Sequence, residues 1–167
     1  MNNEQPLSLS LKQVMRRVPY PVTIVTAAFE GSMRGITIGS FTSLSLDPPL
    51  ICFNVGRESQ MHDFISKANH FAVHVPHHKQ EYLCNLFARS DMKDNEQFEK
   101  VNFELHDLDI PLIKNVCSIL ICKSDSIVEA GDHSLIIGEI IEVERHRDDP
   151  AILYYNGSYY TLKAEQG

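Results

Sequence analysis

Strand-like patterns dominate this chain. Runs rich in β-branched and other apolar residues predict strands over residues 20–29, 33–38, 41–46, 50–55, 71–75, 113–128 and 135–143. Near the end of the chain, Asn156-Gly157 lies between two pairs of tyrosines. Because both residues tolerate the positive φ angles of a type I′ turn, this dipeptide predicts a β-hairpin in the tail.

Three segments show the spacing of apolar residues that helices require, at positions 11–18, 59–67 and 80–89. Ser8 or Ser10 is expected to cap the first helix and Pro19 to end it, while Ser59 is expected to cap the second. The polar and charged stretch 90–100 is expected to form a surface excursion.

The predicted strands follow one another in consecutive runs and do not alternate regularly with helices. This order favours an α+β, mainly β fold of antiparallel strands with about three flanking helices over a parallel doubly wound sheet. Closing such a sheet into a barrel would remove exposed strand edges. With 167 residues, the chain is expected to form a single domain over 1–167.

The composition narrows the possible partners. Fifteen Lys and Arg against 22 Asp and Glu give a formal net charge of −7. General binding to nucleic acid or to an anionic membrane surface needs basic patches and is not expected. No apolar run approaches the roughly 18 residues of a membrane span. The polar residues 1–10 lack the apolar segment of a signal peptide, so we expect a cytoplasmic location.

Cysteines and histidines do not predict a metal site. Three of the four cysteines lie in apolar runs typical of small buried residues, and no pair forms a C-x-x-C motif. The histidines cluster at positions 70, 74, 77 and 78. No carboxylate or cysteine completes a ligand set there at a convincing spacing.

The densest chemical signal lies between Gly35 and Leu50, which reads G-I-T-I-G-S-F-T-S-L-S-L-D-P-P-L. Five Ser or Thr side chains fall within nine positions, and two glycines let the backbone approach a flat ligand closely. Hydroxyls and backbone N–H groups can bond phosphate or ring heteroatoms. On composition alone, an ordinary Ser/Thr-rich edge strand explains the segment as well.

This segment resembles the signature of the flavin reductase-like family, G-x-T-x-S/N-S-F-T/C-S-L/V-S-L-D-P-P-L. Four later motifs match in the expected order: G-R-E-S at 56–59, F-A-R at 87–89, G-D-H at 131–133 and L-Y-Y-x-G-x-Y at 153–159. The resemblance as a whole covers roughly residues 14 to 162. The resemblance implies an FMN-binding split barrel that acts as an NAD(P)H-dependent flavin reductase, with FMN or FAD as the flavin and NADH or NADPH as co-substrate.

The resemblance also implies a homodimer with the flavin site near its interface, and a separate flavin-dependent monooxygenase that uses the reduced flavin. Two alternatives stay open from the sequence. One is a non-enzymatic FMN-binding protein on the same barrel, such as an electron carrier, a flavin store or a sensor. The other is an interaction protein that has lost its ligand.

Site residues follow from the same resemblance. Those implied to run along the flavin ring are Thr37, Ile38, Gly39 and Ser40. Those implied to surround the ribityl phosphate are Ser43, Leu44, Ser45, Arg57 and Ser59. The start of a helix at Ser59 suits an anion, because its N–H groups are unpaired and its dipole end is positive. Arg57 would add a charge-assisted hydrogen bond.

His133 is the residue implied to lie by the nicotinamide-binding face, where it would contact the nicotinamide dinucleotide. It could instead contact a substrate above the flavin. In the alternative interpretation, Asp132 and His133 only shape a turn and bind each other. The chain departs from the family pattern at two places. Gly39 stands where Ser, Asn or Ala is usual, and Met61, followed by His62, stands where many members have Thr.

Overall fold

A computed structural model describes residues 6–162 of the chain. This part contains three α-helices, α1 (Leu7–Met15), α2 (Gln60–Lys67) and α3 (Glu81–Phe87), and a 3-10 helix at Phe98–Lys100. Its strands are β1 (Tyr20–Pro21), β2 (Thr23–Phe29), β3 (Ser32–Ile38), β4 (Thr42–Leu46), β5 (Pro49–Gly56), β6 (His70–Val75), β7 (Phe103–Leu105), β8 (Pro111–Ile113), β9 (Ser118–Ala130), β10 (His133–Arg145), β11 (Ile152–Tyr155) and β12 (Ser158–Thr161). None of these helices is long and apolar enough to cross a membrane.

Seven strands form the main sheet, in the order β3-β2-β6-β9-β10-β5-β4. Smaller sheets join β1-β11-β12 and β7-β8, and every strand pair is antiparallel. The predicted mainly β, antiparallel fold with three helices is therefore confirmed. The tail hairpin is also confirmed: Asn156 and Gly157 join β11 to β12 with φ angles of 49° and 89°. The predicted lack of a signal peptide rests partly on residues 1–5, which lie outside the described residues.

Strands β2 and β6 are buried on both faces because their alternate residues enter two separate cores. Val25 and Val73 belong to a cluster that includes the buried face of α2. Ile24 and Ala72 belong to a second cluster, which lies under α3 and the 3-10 helix. The centre of the main sheet is therefore a rigid support, and its edges carry the accessible groups.

The predicted helix caps have different outcomes. The hydroxyl of Ser59 accepts a hydrogen bond from the N–H of Met61 at 3.2 Å, so the cap of α2 is confirmed. The prediction that Ser8 or Ser10 caps α1 is wrong, because the helix begins at Leu7 with Pro6 as its N-cap. Pro6 has no side-chain group that could accept a hydrogen bond from α1, so this helix has no side-chain cap.

The stretch 90–100 is not merely a surface excursion. Met92, Gln97 and Phe98 are buried, with exposed fractions of 4%, 2% and 2%. The Phe98 ring packs edge-on against Phe87 with a centroid distance of 5.5 Å. The stretch folds inward because it covers part of the open edge of β3.

Candidate functional site

The outer edge of strand β3 is covered by other residues at its start and borders clefts at its end. On such a strand every second N–H points away from the sheet. The N–H of Met33 donates to Asn95 Oδ1 at 2.7 Å, and that of Gly35 donates to Gln97 Oε1 at 3.0 Å. The N–H of Thr37 has the same parity and therefore also points away from the sheet. It lies at the end of the strand that borders two large clefts.

The first cleft has a volume of about 710 Å³ and is lined by all four predicted ring-binding residues. Residues 37–40 form one side, and residues 54–56 of β5 form another. The turn between β9 and β10 contributes His133, and α1 contributes Leu11 and Met15. The Ser40 hydroxyl accepts a hydrogen bond from the Asn54 N–H at 2.9 Å, which ties the two sides together. We call this space the ring cleft.

His133 lies at the rim of the ring cleft and is paired with Asp132. Its Nδ1 lies 2.8 Å from Asp132 Oδ1, and because a carboxylate only accepts, Nδ1 carries the proton. This hydrogen bond to His133 holds the pKa of Asp132 below its usual value. The other ring nitrogen, Nε2, is directed toward Gly56, where an added Cβ would lie 3.8 Å from it. The predicted Asp132–His133 pairing therefore exists and leaves Nε2 available to a ligand.

A smaller cleft of about 260 Å³ lies at the N-terminus of α2. Ser59 and Gln60 line it together with Arg34 and Arg89. The Arg34 guanidinium is buried and donates to Asp94 at 2.7 Å and to the Met92 carbonyl at 3.0 Å. Ile36 borders both this cleft and the ring cleft, so Ser59 lies next to the ring-binding segment. Glu58 also lines this cleft, and the Arg34 and Arg89 guanidinium groups are paired with Asp94 and Asp91, so the start of α2 is its main feature suited to an anion.

Four other predicted phosphate-binding residues border neither cleft. Ser43, Leu44 and Ser45 lie on β4, the opposite edge of the main sheet, where Leu44 is the bulged residue between two strand pairs. The Arg57 guanidinium lies 3.3 Å from Glu129 Oε2 in an exposed ion pair. These assignments stay predictions.

A second large cleft, of about 660 Å³, adjoins the same segment and was missed by the sequence analysis. It shares Tyr20, Thr37, Ile38 and Gly39 with the ring cleft. Its other walls are the outer face of α3 and the tail hairpin, and its remaining lining includes Glu81, Asn85, Tyr154, Ser158 and Tyr159. The tyrosine motif of the tail was visible in the sequence, but the role of α3 was not. We call this space the tyrosine cleft.

Comparison with known proteins identifies the family. The profile of the flavin reductase like domain matches residues 15–163. The chain belongs to the flavin reductase-like family. A flavin reductase of Pseudomonas putida is 37% identical over 149 residues, which cover 89% of this chain and 86% of that protein. FMN reductase (NADH) SmoA of Agrobacterium fabrum is 32% identical, with 91% and 84% covered.

Solved structures agree with this membership. Streptomyces globisporus NADH:FAD oxidoreductase SgcE6, in complex with NAD and FAD fragments, superposes with a TM-score of 0.89 at 31% identity. The superposition covers 96% of each chain. Other similar chains are described as the reductase component of a flavin-dependent monooxygenase and the flavin reductase component of a two-component halogenase.

The departures from the flavin reductase-like pattern have structural reasons. A Cβ at Gly39 would lie 3.2 Å from the Cβ of Tyr20, so Tyr20 fills the space that a side chain at position 39 would need. The Met61 side chain lies on the buried face of α2, in the core. His62 Nε2 lies 2.9 Å from the Ser134 hydroxyl. Glycine at 39 keeps the backbone of the ring-binding segment open to both clefts.

Within the histidine cluster, His74 serves the fold. His74 is fully buried, and its Nε2 accepts the N–H of Ile113 at 3.0 Å while Nδ1 donates to the Ile24 carbonyl at 3.1 Å. Burial lowers the pKa of His74 to about 4, so the ring is neutral. Within residues 6–162, no group of three or more His, Cys, Asp or Glu is arranged to hold a metal ion.

Proposed function

We propose that this chain is an NAD(P)H-dependent flavin reductase that binds FMN or FAD in the ring cleft. The observation that carries this proposal is that residues 37–40 and His133, far apart in the sequence, border one cleft of about 710 Å³. Relatives named for NADH-dependent reduction of FMN and of FAD support it. Because relatives of both kinds are known, FMN and FAD are both candidate flavins.

The ring-binding segment fits a flat heterocycle. The N–H of Thr37 points away from the sheet, and Gly39 presents backbone without a side chain. Backbone donors and acceptors at an open strand edge match the alternating polar atoms of a pyrimidine ring. The Thr37 hydroxyl donates to the Cys84 carbonyl at 2.7 Å, which fixes the segment against α3. Thr37, Ile38, Gly39 and Ser40 therefore form the proposed platform for the flavin ring.

When bound, the flavin supplies the chemistry, because it accepts a hydride from the nicotinamide. The protein contributes alignment and partial exclusion of water. His133, held by Asp132, presents Nε2 to the nicotinamide nucleotide and orients it over the cleft. Leu11 and Met15 of α1 cover the apolar side of the same space. No proton transfer by the protein is needed.

The flavin phosphate is proposed to bind beside the ring cleft, at the N-terminus of α2 with Ser59. Arg57 and the segment Ser43, Leu44 and Ser45 are retained as proposed contacts. For β4 such a contact fits a site completed by a second copy, because this edge strand is exposed and borders neither the ring cleft nor the cleft at Ser59.

A homodimer and a split barrel complete the proposal. No residue of α1 is buried, and its side chains Leu7, Leu11 and Val14 are more than half exposed. Burying such an apolar face against a second copy would remove it from water. Strand β3 at one end of the main sheet is followed, after only residues 39–41, by β4 at the other end, which brings the two ends close together as a partly closed barrel requires. We also propose a single domain and a monooxygenase as the consumer of reduced flavin; the cytoplasmic location stays a prediction.

The test is an anaerobic absorbance assay with FMN and NADH, repeated with FAD and NADPH. We expect the flavin band to bleach far faster than with free flavin. His133→Ala should lower this rate while the dissociation constant for flavin changes little, because His133 faces the nicotinamide. His146→Ala, which removes another partly exposed histidine outside both clefts, is the matched control.

Three outcomes would contradict the proposal. Oxidation of neither NADH nor NADPH above the flavin-only rate would refute the reductase. Bound flavin that stays yellow would indicate a binding or electron-transfer protein. Equal loss of flavin binding and turnover in His133→Ala would refute the assigned role of His133.

A further inference from the structure

The hairpin tip that carries His133 is exposed, so its position depends on an anchor elsewhere. Residues 128–133 are all exposed, and the Asp132 side chain is 96% exposed. An exposed pair such as Asp132–His133 sets where the imidazole carries its proton, but it holds the ring in place only weakly because water competes for both partners. The first buried residue after the tip is Ser134, which is 1% exposed. The position of His133 therefore depends on how Ser134 is held.

The Ser134 hydroxyl is bonded by a side chain of α2. Neighbouring residues of a strand point to opposite faces, so His133 lies at the ring cleft while Ser134 points into the protein. His62 Nε2 lies 2.9 Å from the Ser134 hydroxyl, and within residues 6–162 the structure gives this hydroxyl no other hydrogen-bond partner. Because buried hydroxyls are normally paired, this contact ties the start of β10 to α2.

Helix α2 is a rigid support for this contact. Met61 and Ile65, which precede and follow His62 in the helix, are 1% and 0% exposed and belong to the core cluster beneath α2. Close packing in a core resists movement, so the His62 imidazole offers Ser134 a fixed partner. Pairing with β5 sets the register of the β10 strand. The contact with His62 fixes the start of that strand against the helix.

We propose that His62 is a positioning residue for hydride transfer, which holds His133 at the ring cleft through Ser134. This inference rests on the proposed reductase function. The proposed flavin phosphate site lies at the N-terminus of the same helix, so α2 fixes the flavin and His133 relative to each other. Hydride transfer needs the reacting rings aligned, and a small misplacement lowers the rate strongly. His62 itself lines neither the ring cleft nor the cleft at Ser59.

The test is a double-mutant cycle between His62 and His133, assayed anaerobically with NADH and FMN. In His62→Ala, kcat/KM for NADH should fall about tenfold, because His133 is no longer held in place. In a His133→Ala background, the same substitution should change kcat/KM by less than about twofold, because the group that it positions is gone. The dissociation constant for FMN should stay unchanged in His62→Ala.

Two further variants separate the hydrogen bond from the loss of a side chain. His62→Gln should keep kcat/KM within about threefold of the unaltered protein, since its amide can bond the same hydroxyl. His70→Ala is the matched control, because it removes another half-buried histidine that lines neither cleft. It should leave kcat/KM and flavin binding unchanged. Thermal denaturation of each variant checks that the fold is intact.

NMR of the flavin-free protein tests the same contact without turnover. The imidazole signals of His133 should shift and broaden in His62→Ala and stay in place in His70→Ala. If the unaltered protein transfers no hydride, the proposed function fails, and these signals still decide whether His62 holds His133.

Three results would overturn the inference. An equal fall of kcat/KM in the His133→Ala background would show that His62 acts independently of His133. Unchanged kcat/KM in folded His62→Ala would show that turnover does not need the contact, and a His62→Gln variant as slow as His62→Ala would show that the hydrogen bond is not the cause. If His62→Ala does not fold, Ser134→Ala removes the other partner and takes its place in the cycle, with the same expectations.

Discussion

Strand β3 and the two residues that follow it form one continuous edge. The first half of this edge is covered by the protein, and the second half is open. Over residues 32–35 the outward N–H groups are bonded by Asn95 and Gln97, and the Phe87 ring lies against Gly35. Over residues 37–40 the edge borders the ring cleft and the tyrosine cleft. The backbone groups of the first half are bonded within the protein, and those of the second half border clefts that a ligand can enter.

This difference shows how a fold reserves a binding edge. An exposed strand edge invites pairing with other chains, so proteins usually cover it. Here the segment 92–98 covers the first half, and the hydrogen bond from Thr37 to α3 fixes where the cover ends. The open half is short, which limits the edge to the length of one flat ligand.

The largest difference in stability between the two halves is expected when one methyl group is added to each. In Gly35→Ala, the new Cβ would lie 2.5 Å from the Phe87 ring, which is buried against Phe98 and cannot move aside. We expect a loss of about 2–3 kcal/mol in the free energy of unfolding, typical of overpacking. Gly39→Ala meets Tyr20 at 3.2 Å and should cost less than about 1 kcal/mol. Urea unfolding of both variants measures this, and equal losses would contradict the distinction between the halves.

The support beneath the open half should respond to pH. Thr37 is paired with Ile24, and Ile24 with His74, so the three form one row across the sheet. Burial lowers the pKa of His74 to about 4, so between pH 6.5 and pH 4 the unfolded chain binds a proton that the folded chain does not. Stability therefore falls as the pH falls, by about 2 kcal/mol between pH 7 and pH 5.

Chemical denaturation at the two pH values measures this loss. His77, whose pKa is also lowered chiefly by burial, changes stability in the same direction. The variant His74→Gln should be less stable at pH 7 and should lose less stability on acidification. An identical pH dependence in the variant and the unaltered protein would show that His74 is not the group responsible.

The smallest expected effect comes from removing the Gln97 side chain, which bonds the covered half of the edge. Gln97→Ala leaves the Gly35 N–H without its acceptor, but it also removes the Gln97 Nε2, a buried donor without a partner among the described residues. Because these terms oppose each other, we expect a net loss of about 1 kcal/mol. Hydrogen exchange gives the sharper measurement, since the Gly35 amide should exchange faster while Ile24 in β2 does not. Glu99→Ala, at an exposed neighbouring position, should leave both amides unchanged.

Features set by neighbouring residues could be predicted from the sequence. The Ser59 cap and the Asn156-Gly157 turn depend on two or three adjacent residues, and both are present. The meeting of residues 37–40 with His133 came from the family resemblance and not from any local rule. Without those five motifs, the same segment is only an edge strand rich in hydroxyl groups.

Features set by distant partners could not be predicted. The stretch 90–100 looks polar, but Met92, Gln97 and Phe98 are buried because an edge about 60 residues away needs covering. The tyrosine cleft was missed for the same reason: α3 and the tail hairpin are separated by more than 60 residues of chain and are brought together only by the fold.

The strand order also has a consequence for synthesis on the ribosome. The hairpins β2–β3 and β4–β5 emerge early, but they occupy opposite ends of the main sheet, and three later strands must insert between them. Strand β5 finds its neighbour β10 only after residues 133–139 have been made. Until then its apolar residues lack that partner, which exposes the nascent chain to aggregation. A stop codon between residues 130 and 133 would therefore leave the sheet β3-β2-β6-β9 and the hairpin β4–β5 without β10, the strand that joins them.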